Sequence, residues 1–556
     1  MLDYKDVFFS FQERRVRRRR RRLRWILLAL ACLAAFLGYR FLQARAEVTK
    51  VQELLLHGRL DEAQRRLQGA DSRVFQRGNF RELLVLNDLF HGRLDEAGAK
   101  LAGLRRAGTA TTLRSGAMLA RFFDHGAYRE LKIYSDYLLP RGNDEFRWFS
   151  ALSHAAFMNP RESEQALAGL SASFQRSHGK ALALLARFNR SLRSGRIEYV
   201  FDRVGRPLAF FDIAGRRTRS LAPGIDFSVF DAQLAGGVRL YRLTLDGELQ
   251  DKVAGLFRGY FGSLVILNLP ENGIAAAYSK PKEAAAGNAA FSQAYEPGSI
   301  VKIVTLLAFL RGGSSRLFPM DCPGALALDG KIFYDWIRHG RVRDPVHALA
   351  LSCNVAFARM AEEVGFASLA GLLRRFSFNA APFRDRFCEF AAGRFSDREG
   401  SSFQLAELAV GLREISITTI HAAVLAAVFS QNGQFFPPFL IDDVRNLLGL
   451  GFYRHEARPR KLLADDLNFM RVKKAMAEVV EEKNGTGRRA RHPSLRLAIK
   501  TGTAGDSAKG LDSVIIGFFP FEAPRFAFAL RLEGGGRADF KGALFVRELL
   551  DVLAPR

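Results

Sequence analysis

Cysteine is scarce in this 556-residue chain, which contains only Cys32, Cys322, Cys353 and Cys388. Their spacing matches no zinc-binding motif, so the sequence predicts neither a zinc site of that kind nor any other metal or cofactor. A disulfide between Cys322 and Cys388 would suit an oxidising compartment, but sequence alone cannot assign the pairing and leaves it open.

Acidic residues are also under-represented, since 83 Lys and Arg face 57 Asp and Glu, a net charge of +26. Residues 1–24 account for +7 of this, from ten cations and three acids, and leave +19 for the rest. A basic chain often binds nucleic acid, but no nucleic-acid motif is present, so we predict no such partner. The remaining positive charge would instead face an anionic envelope.

A long apolar run follows the arginine-rich start. The fifteen uncharged residues Trp25–Tyr39 would rise only about 22 Å as a helix, short of the roughly 30 Å hydrocarbon core. Extending the run to Leu23–Leu42, with Arg24 and Arg40 reaching the two interfaces, gives a spanning length. We therefore predict a transmembrane anchor at residues 23–42 and a cytoplasmic tail at residues 1–22. The body would lie on the periplasmic or extracytoplasmic side of the cytoplasmic membrane, and a signal peptide cleaved at Ala44–Ala46 is the alternative.

Residues 43–195 have a helical pattern and an internal repeat. "HGRLDEA" occurs at His57–Ala63 and again 34 residues later at His91–Ala97. A weaker copy follows at His125–Leu131, and the match fades at Asn159–Gln165. The period, with Gly58, Gly92 and Gly126 placed to turn between paired helices, resembles tetratricopeptide repeats. Such an array would serve either as a platform for an envelope protein or as a rigid spacer.

The sequence pattern changes from helical to strand-like after Gly195. Short strands and turns predict a linker or pedestal at residues 196–243. Residues 244–556 then begin with an apolar hairpin at 262–281, continue with helices, and return to strands after Arg496. This arrangement predicts one α+β domain whose sheet is assembled from distant segments.

Ser-x-x-Lys occurs three times, at Ser299–Lys302, Ser177–Lys180 and Ser279–Lys282. Among these matches, only Ser299 has both an apolar helix behind it and two further motifs in order ahead. Those motifs are Ser352-Cys353-Asn354 and the strand-borne Lys500-Thr501-Gly502-Thr503. Ser-x-Asn alone is weak, because Ser430-Gln431-Asn432 also matches it.

The three motifs in this order are similar to those of penicillin-binding proteins and serine β-lactamases. "TLDGELQ", "EPGSIVKIVTLLAFL" and "CPGALALDGKIFYDW" extend the resemblance over about Phe201–Leu553. It implies an antiparallel sheet flanked by helices. No glycosyltransferase acidic motif precedes the domain, so a monofunctional, class B-like protein is expected.

The resemblance also implies roles for individual residues. Ser299 would be the nucleophile and Lys302 its base, if burial and a neighbouring cation such as Lys500 lower the pKa of Lys302. Ser352 would relay a proton toward the leaving amine. The substrate-binding residues would be Asn354, Thr501, Gly502 and Thr503, with Gly502 letting the substrate approach closely.

The expected activity is a penicillin-sensitive D,D-transpeptidase that acts on D-Ala-D-Ala stem peptides of peptidoglycan and binds β-lactams. A D,D-carboxypeptidase or β-lactamase would share the acyl-enzyme, and a scaffold or sensor is the non-enzymatic alternative. Three departures from the family pattern leave acceptor choice open: residues 376–404, Leu412 in place of a frequent Gln, and the strand "LDSVIIGF".

Overall fold

The computed structural model describes residues 4–69, 78–108, 113–235, 239–283, 287–312, 315–385, 388–505 and 510–554. Residues 1–3 of the predicted cytoplasmic tail therefore lie outside the described part. The chain forms two compact units, Met1–Asn189 and Arg190–Arg556. The finer boundaries predicted at residues 22, 42, 195 and 243 stay predictions.

The first unit opens with one long helix, α1 (Tyr4–Leu56, 53 residues). Its section Leu23–Leu56 is long and apolar enough to cross a membrane. Apolar side chains such as Trp25 and Leu28 are exposed along it, with 71% and 55% of their surface accessible. An N-terminal helix with apolar residues on its surface fits a single-pass membrane anchor.

Shorter helices complete the first unit. They are α2 (Leu60–Gln68), α3 (Gly78–Phe90), α4 (Leu94–Arg106), α5 (Ser115–Asp124), α6 (Tyr128–Leu138), α7 (Asp144–Ala156), α8 (Pro160–Ala168), α9 (Ala172–Ser177) and α10 (Gly179–Arg193), the last of which runs on into the second unit. The turns after α1, α3 and α5 hold Gly58, Gly92 and Gly126 at φ of 74°, 70° and 68°. These are left-handed conformations that glycine adopts without a Cβ penalty.

The repeat is visible in the packing as well as in the turns. One position in the first turn of α2, α4, α6 and α8 has no exposed surface, and it is occupied by Ala63, Ala97, Leu131 and Ser163. The fourth turn contains Met158 at φ 59° in place of glycine. It comes 32 residues after Gly126, so the predicted alignment at Asn159–Gln165 is two residues out of phase. Membership of the tetratricopeptide class stays a prediction.

The second unit begins with strands and continues as an α+β fold. Its elements up to the middle of the unit are β1 (Arg196–Phe201), β2 (Pro207–Asp212), β3 (Arg217–Ser220), α11 (Asp231–Ala235), β4 (Leu240–Leu243), α12 (Gly247–Leu256), β5 (Gly262–Asn268), β6 (Gly273–Lys280), α13 (Ala289–Ser292), β7 (Ala294–Tyr295), α14 (Lys302–Gly312), β8 (Met320–Cys322), β9 (Ala325–Leu328), β10 (Lys331–Tyr334), β11 (Gly340–Val342), α15 (Pro345–Leu351) and α16 (Asn354–Arg375).

The remaining elements return the chain to its central sheet. They are β12 (Phe383–Arg384), β13 (Glu389–Phe390), β14 (Arg394–Phe395), α17 (Ser402–Val410), β15 (Ile415–Thr418), α18 (Thr419–Ser430), β16 (Gln434–Phe435), β17 (Ile441–Arg445), β18 (Gly451–Arg454), β19 (Arg460–Lys461), α19 (Asp466–Glu481), β20 (Ala498–Ala504), β21 (Asp512–Phe519), β22 (Phe526–Leu532) and α20 (Ala543–Leu553).

Two sheets organise this unit. The first has the order β18-β17-β4-β1-β2-β3, so the predicted pedestal strands pair with strands from far downstream. The second has the order β20-β21-β22-β5-β6 and is antiparallel throughout. The prediction of an antiparallel sheet built from distant segments and flanked by helices is confirmed.

Helix α18 covers one face of the central strands. All twelve of its residues are buried, and it packs against β5, β21 and β22. A short helix that is buried on every side lies in a core. The core built around α18 lies against one face of the sheet. Strand β20 lies at the edge of the same sheet.

Candidate active site

Ser299 lies in a tight turn of 3-10 helix, Gly298–Val301, that leads directly into α14. The turn is clamped on two sides, because Gly298 N–H donates to Gly411 O at 2.8 Å and a Cβ on Gly298 would lie 2.8 Å from Thr503 O. Ser299 itself is half-buried. Its backbone N–H is in the first turn of the helical segment, where developing negative charge is stabilised.

Lys302 is fully buried one turn further on. Its Nζ donates to Ser352 O at 2.6 Å, to Asn354 Oδ1 at 2.7 Å and to Ser352 Oγ at 3.4 Å. Burial lowers the pKa of Lys302 to about 8, and the nearby Asp335 carboxylate opposes that shift. An amine with this pKa exchanges its proton readily near neutral pH. Among the described residues, Ser299 Oγ has no hydrogen-bond partner, so it is open to the cleft.

Ser352 joins the two lysines. It ends α15 in the left-handed conformation, with φ 56° and ψ 34°, a backbone state that costs a residue with a side chain about 1 kcal/mol or more. Its Oγ accepts from Lys500 Nζ at 3.0 Å as well as from Lys302. The predicted relay position therefore has a buried lysine on each side.

Lys500 is buried on strand β20 and also donates to Thr501 O at 2.6 Å. Burial, and then the charge of Lys302, lowers the pKa of Lys500 well below its usual value. The sequence-based expectation was that burial and a neighbouring cation such as Lys500 lower the pKa of Lys302. In the structure burial is the main cause of the lowered pKa of both lysines.

The threonines of β20 are held by neighbours that the motif does not contain. Thr501 Oγ1 and Thr486 Oγ1 share a hydrogen bond of 2.6 Å. Thr503 Oγ1 accepts from Ala538 N–H at 3.2 Å. Thr501, Thr503 and Thr486 all face the cleft, so three hydroxyl groups lie along one wall.

Gly502 lies where strand β20 meets the Ser299 turn. A Cβ at Gly502 would lie 2.7 Å from Pro297 O and 3.2 Å from Ile300 Cγ2. The missing side chain therefore faces the Ser299 turn rather than the cleft. Gly502 thus lets β20 pack directly against the turn that carries the nucleophile, and its expected role in making room for the substrate stays a prediction.

The motifs surround a cleft of about 330 Å³. Its lining residues are Ser299, Trp336, Ser352, Asn354, Val410, Leu412, Thr486, Thr501, Thr503, Leu511, Arg537 and Asp539. The Arg537 guanidinium lies 4.7 Å from the centre of the Trp336 ring and is held by a two-point contact with Asp539. Trp336, Thr486, Arg537 and Asp539 belong to none of the three motifs, and Leu412 was expected only as a departure from the family pattern.

A larger cleft of about 510 Å³ lies elsewhere in this unit, beside Arg203, Asp246 and Arg525. No serine, cysteine or threonine lines this cleft, so its described walls offer no nucleophile of that kind. We therefore place the chemistry at the smaller cleft.

All four cysteines are free, so the Cys322–Cys388 disulfide left open by the sequence is not formed. The Sγ atoms of Cys322 and Cys353 instead lie within 4.8 Å of each other and of an Asp335 oxygen. Among the described residues, this group has the spacing closest to a metal site. In the structure both thiols donate to Asp335, so its members already serve as hydrogen-bond partners for one another.

Comparison with known proteins agrees with this geometry. Residues 262–549 match the family model described as "Penicillin binding protein transpeptidase domain". The chain is 26% identical over 270 residues to the peptidoglycan D,D-transpeptidase PbpA of Mycobacterium tuberculosis, covering 45% of this chain and 52% of that protein. It is 25% identical over 314 residues to the probable peptidoglycan D,D-transpeptidase PbpC of Pseudomonas aeruginosa, covering 53% of each. The chain thus spans about half the length of the curated relatives it matches.

Two solved structures show the same fold. One is the D,D-transpeptidase domain of a peptidoglycan glycosyltransferase from Eggerthella lenta, with a TM-score of 0.57 and 22% identity, covering 65% of this chain and 98% of that one. The other is penicillin-binding protein A from M. tuberculosis as a cephalosporin acyl-enzyme complex, with a TM-score of 0.57 and 17% identity, covering 65% and 99%.

Proposed function

The chain belongs to the penicillin-binding protein transpeptidase family, and from that premise we propose that it is a D,D-transpeptidase that cross-links peptidoglycan stem peptides. The observation that carries the proposal is the convergence of the three motifs on one cleft. Ser299 opens into this cleft, and Ser352 Oγ lies between two buried lysines at its floor.

The first half-reaction acylates Ser299. Neutral Lys302 takes the hydroxyl proton while Ser299 Oγ attacks the carbonyl of the D-Ala-D-Ala bond, so a C–O bond forms and the carbonyl π pair moves to oxygen. With a pKa of about 8, about a tenth of Lys302 is neutral at pH 7. Backbone N–H groups of Ser299 and Thr503 stabilise the oxyanion. The C–N bond then breaks, and the leaving amine takes a proton through Ser352 and departs as D-alanine.

The second half-reaction passes the acyl group to an amine of a neighbouring stem peptide. The amine attacks the ester carbonyl and a C–N bond forms, while its proton passes to the lysine–serine network. The C–O bond to Ser299 Oγ then breaks, and the oxygen takes a proton back from Lys302 to restore the hydroxyl group. Strand β20 lies at the edge of its sheet, so an extended donor peptide can add alongside it. The hydroxyl groups of Thr501 and Thr503, with Lys500 behind them, provide a place for the terminal carboxylate.

Labelled penicillin tests the acyl-enzyme. We expect one covalent label per chain, on the peptide that contains Ser299, and no label in Ser299→Ala. Ser177→Ala is the matched control, because Ser177 belongs to another Ser-x-x-Lys sequence, in helix α9, and should keep full labelling. Equal labelling of the wild type and Ser299→Ala would reject the nucleophile.

The fate of the acyl group is tested with pentapeptide-bearing glycan strands. Cross-linked dimers with release of D-alanine support a transpeptidase. Trimmed tetrapeptides without dimers would reassign the chain as a carboxypeptidase, and turnover of penicillin within minutes would reassign it as a β-lactamase.

We further propose that α1 anchors the protein in the cytoplasmic membrane, with residues 1–22 in the cytoplasm and the catalytic unit outside. The arginine run before the apolar segment supports this orientation. Residues 43–195 would connect anchor and pedestal, and their helices would offer a surface for an envelope protein. Protease added to intact spheroplasts should digest the catalytic unit. A catalytic unit protected from the protease would show that it lies in the cytoplasm and would contradict the proposed orientation.

A further inference from the structure

A carboxylate under the cleft collects an unusual number of hydrogen bonds. Asp335, in the loop after β10, has no exposed side-chain surface. Its Oδ2 accepts from the Cys353 thiol at 3.1 Å, from Val355 N–H at 3.1 Å and from the Cys322 thiol at 3.3 Å. Its Oδ1 accepts from Trp336 N–H at 2.9 Å. A buried carboxylate of this kind is stable only where donors surround it.

Two of these donors lie on either side of Asn354. Asn354 Nδ2 also donates to Tyr334 O at 3.2 Å, one residue before Asp335. The loop after β10 therefore holds the start of α16 at three points, through Cys353, Asn354 and Val355. This leaves Asn354 Oδ1 directed at Lys302 Nζ, 2.7 Å away.

We propose that Asp335 is a positioning residue for acylation: it fixes the Ser352–Asn354 segment so that Ser352 and Asn354 hold Lys302 Nζ in place. The inference rests on the proposed function. The role is distinct from that of the three motifs, because Asp335 lies beneath the cleft and does not line it. Its effect on the substrate passes entirely through other side chains.

Charge supports the same role. The groups that influence Lys302 are the Asp335 carboxylate, the thiols of Cys353 and Cys322, and the buried Lys500. Burial alone would raise the pKa of Asp335, but the nearby His339, 3.4 Å away, and the charge of Lys302 hold it well below its usual value. Asp335 is therefore an anion at all working pH values, and it favours the protonated form of Lys302.

Asp335→Asn is the most informative change, because it keeps the shape and removes the charge. An amide has one accepting oxygen instead of two, so its NH2 group would face donors of the present network. We expect the maximal acylation rate by penicillin to fall about tenfold or more, as the aligned groups loosen. We also expect the rising limb of the pH–rate profile to move down by about one pH unit.

Asp344→Asn is the matched control. Asp344 caps α15, the helix that ends beside Ser352, by accepting from His347 N–H at 2.8 Å. The substitution removes the same charge near the same loop, keeps an oxygen that can accept from His347 N–H, and leaves Asp335 untouched. The rising limb of the pH–rate profile of Asp344→Asn should coincide with that of the wild type, even if the melting temperature of the variant falls.

Variants of Cys353 provide a second test of the proposal if Asp335→Asn folds poorly. Cys353→Ser keeps a donor for Asp335 and should retain most of the acylation rate, whereas Cys353→Ala should lose rate in the same direction as Asp335→Asn. Equal rates in the two thiol variants would overturn the proposal.

The experiment measures acylation of the full chain from pH 6 to pH 10. The positioning role is overturned if the rising limb of the pH–rate profile stays at its wild-type pH in Asp335→Asn. It is also overturned if the rising limb shifts by the same amount in Asp344→Asn. One tightly bound metal ion per purified chain, with loss of acylation after chelation, would also overturn it, since hydrogen bonds from thiols would not then hold the loop. Failure of the wild type to acylate at any pH instead rejects the proposed function.

Discussion

Gly502→Ala is expected to disable acylation while leaving the fold largely intact. The new Cβ would lie 2.7 Å from Pro297 O, where ordinary contacts begin near 3.4 Å, so strand or turn must move by about 0.7 Å. The turn cannot move away freely, because Gly298 is hydrogen-bonded to Gly411 and lies against Thr503. A misplacement of this size in aligned catalytic groups costs about 10- to 100-fold in rate, and the overpacking costs about 1–3 kcal/mol of unfolding free energy.

The assay is the second-order rate of acylation by penicillin, measured beside the melting temperature. Gly451→Ala is the matched control, because Gly451 also lies in a strand and a Cβ there would meet nothing within 4 Å. It should acylate at the wild-type rate. A small and a bulky β-lactam should lose rate equally with Gly502→Ala, because the added methyl group faces the Ser299 turn.

Two results would refute this reasoning. A wild-type rate in Gly502→Ala would show that the turn and strand yield without cost. A loss confined to the bulky drug would show that the glycine serves the substrate, as the sequence alone suggested.

Three other predictions follow from the same geometry. Burial lowers the pKa of His421 to about 4, so the histidine is neutral in the folded protein near pH 7. The unfolded chain takes up a proton below about pH 6.5, so the free energy of unfolding should fall by about 1.4 kcal/mol per pH unit from there toward pH 4. Urea unfolding of the wild type should show this slope, and His421→Gln should flatten it. Lys500→Ala should lower acylation at least about 100-fold by removing a donor from Ser352, and a rate within a few fold of the wild type would contradict the relay. Arg537→Ala, which frees the Trp336 ring, should weaken non-covalent drug binding about two- to fivefold without changing the acylation step, and an unchanged dissociation constant would contradict the contact.

The catalytic motifs could be predicted from the sequence because their chemistry is local. Ser299 and Lys302 lie one helical turn apart, and Lys500 to Thr503 lie on one apolar strand. The hairpin β5–β6 and the glycine turns after α1, α3 and α5 were also predicted, since each depends on neighbouring residues.

The missing residues depend on contacts between distant segments. Thr486 reaches Thr501 through a hydrogen bond between side chains, and Arg537 meets Trp336 across about 200 residues of chain. Neither contact produces a periodicity or a residue spacing in the sequence from which it could be predicted. Asp335 was quoted within "CPGALALDGKIFYDW", but only the fold shows that its carboxylate meets the residues beside Asn354.

The repeat shows a different limit. Its 34-residue period predicted the first three turns, but the fourth comes two residues early because Met158 takes the left-handed position without glycine. A buried position in each second helix persists through the change, occupied by Ser163 in α8. The packing repeats after the sequence signal has faded.

The two buried lysines constrain the mechanism further. Lys302 and Lys500 both donate to Ser352 Oγ, at 3.4 Å and 3.0 Å, so each charge raises the cost of the other and the pair titrates as a unit. The buried Asp335 carboxylate acts on Lys302 and favours its protonated form. Burial and the mutual repulsion of the two lysines both favour loss of a proton from the pair. Removing Lys500 would let Lys302 keep its proton, so Lys500→Ala should move the acylation limb to higher pH, opposite to Asp335→Asn. Movement of both variants in the same direction would show that the two lysines do not share this charge.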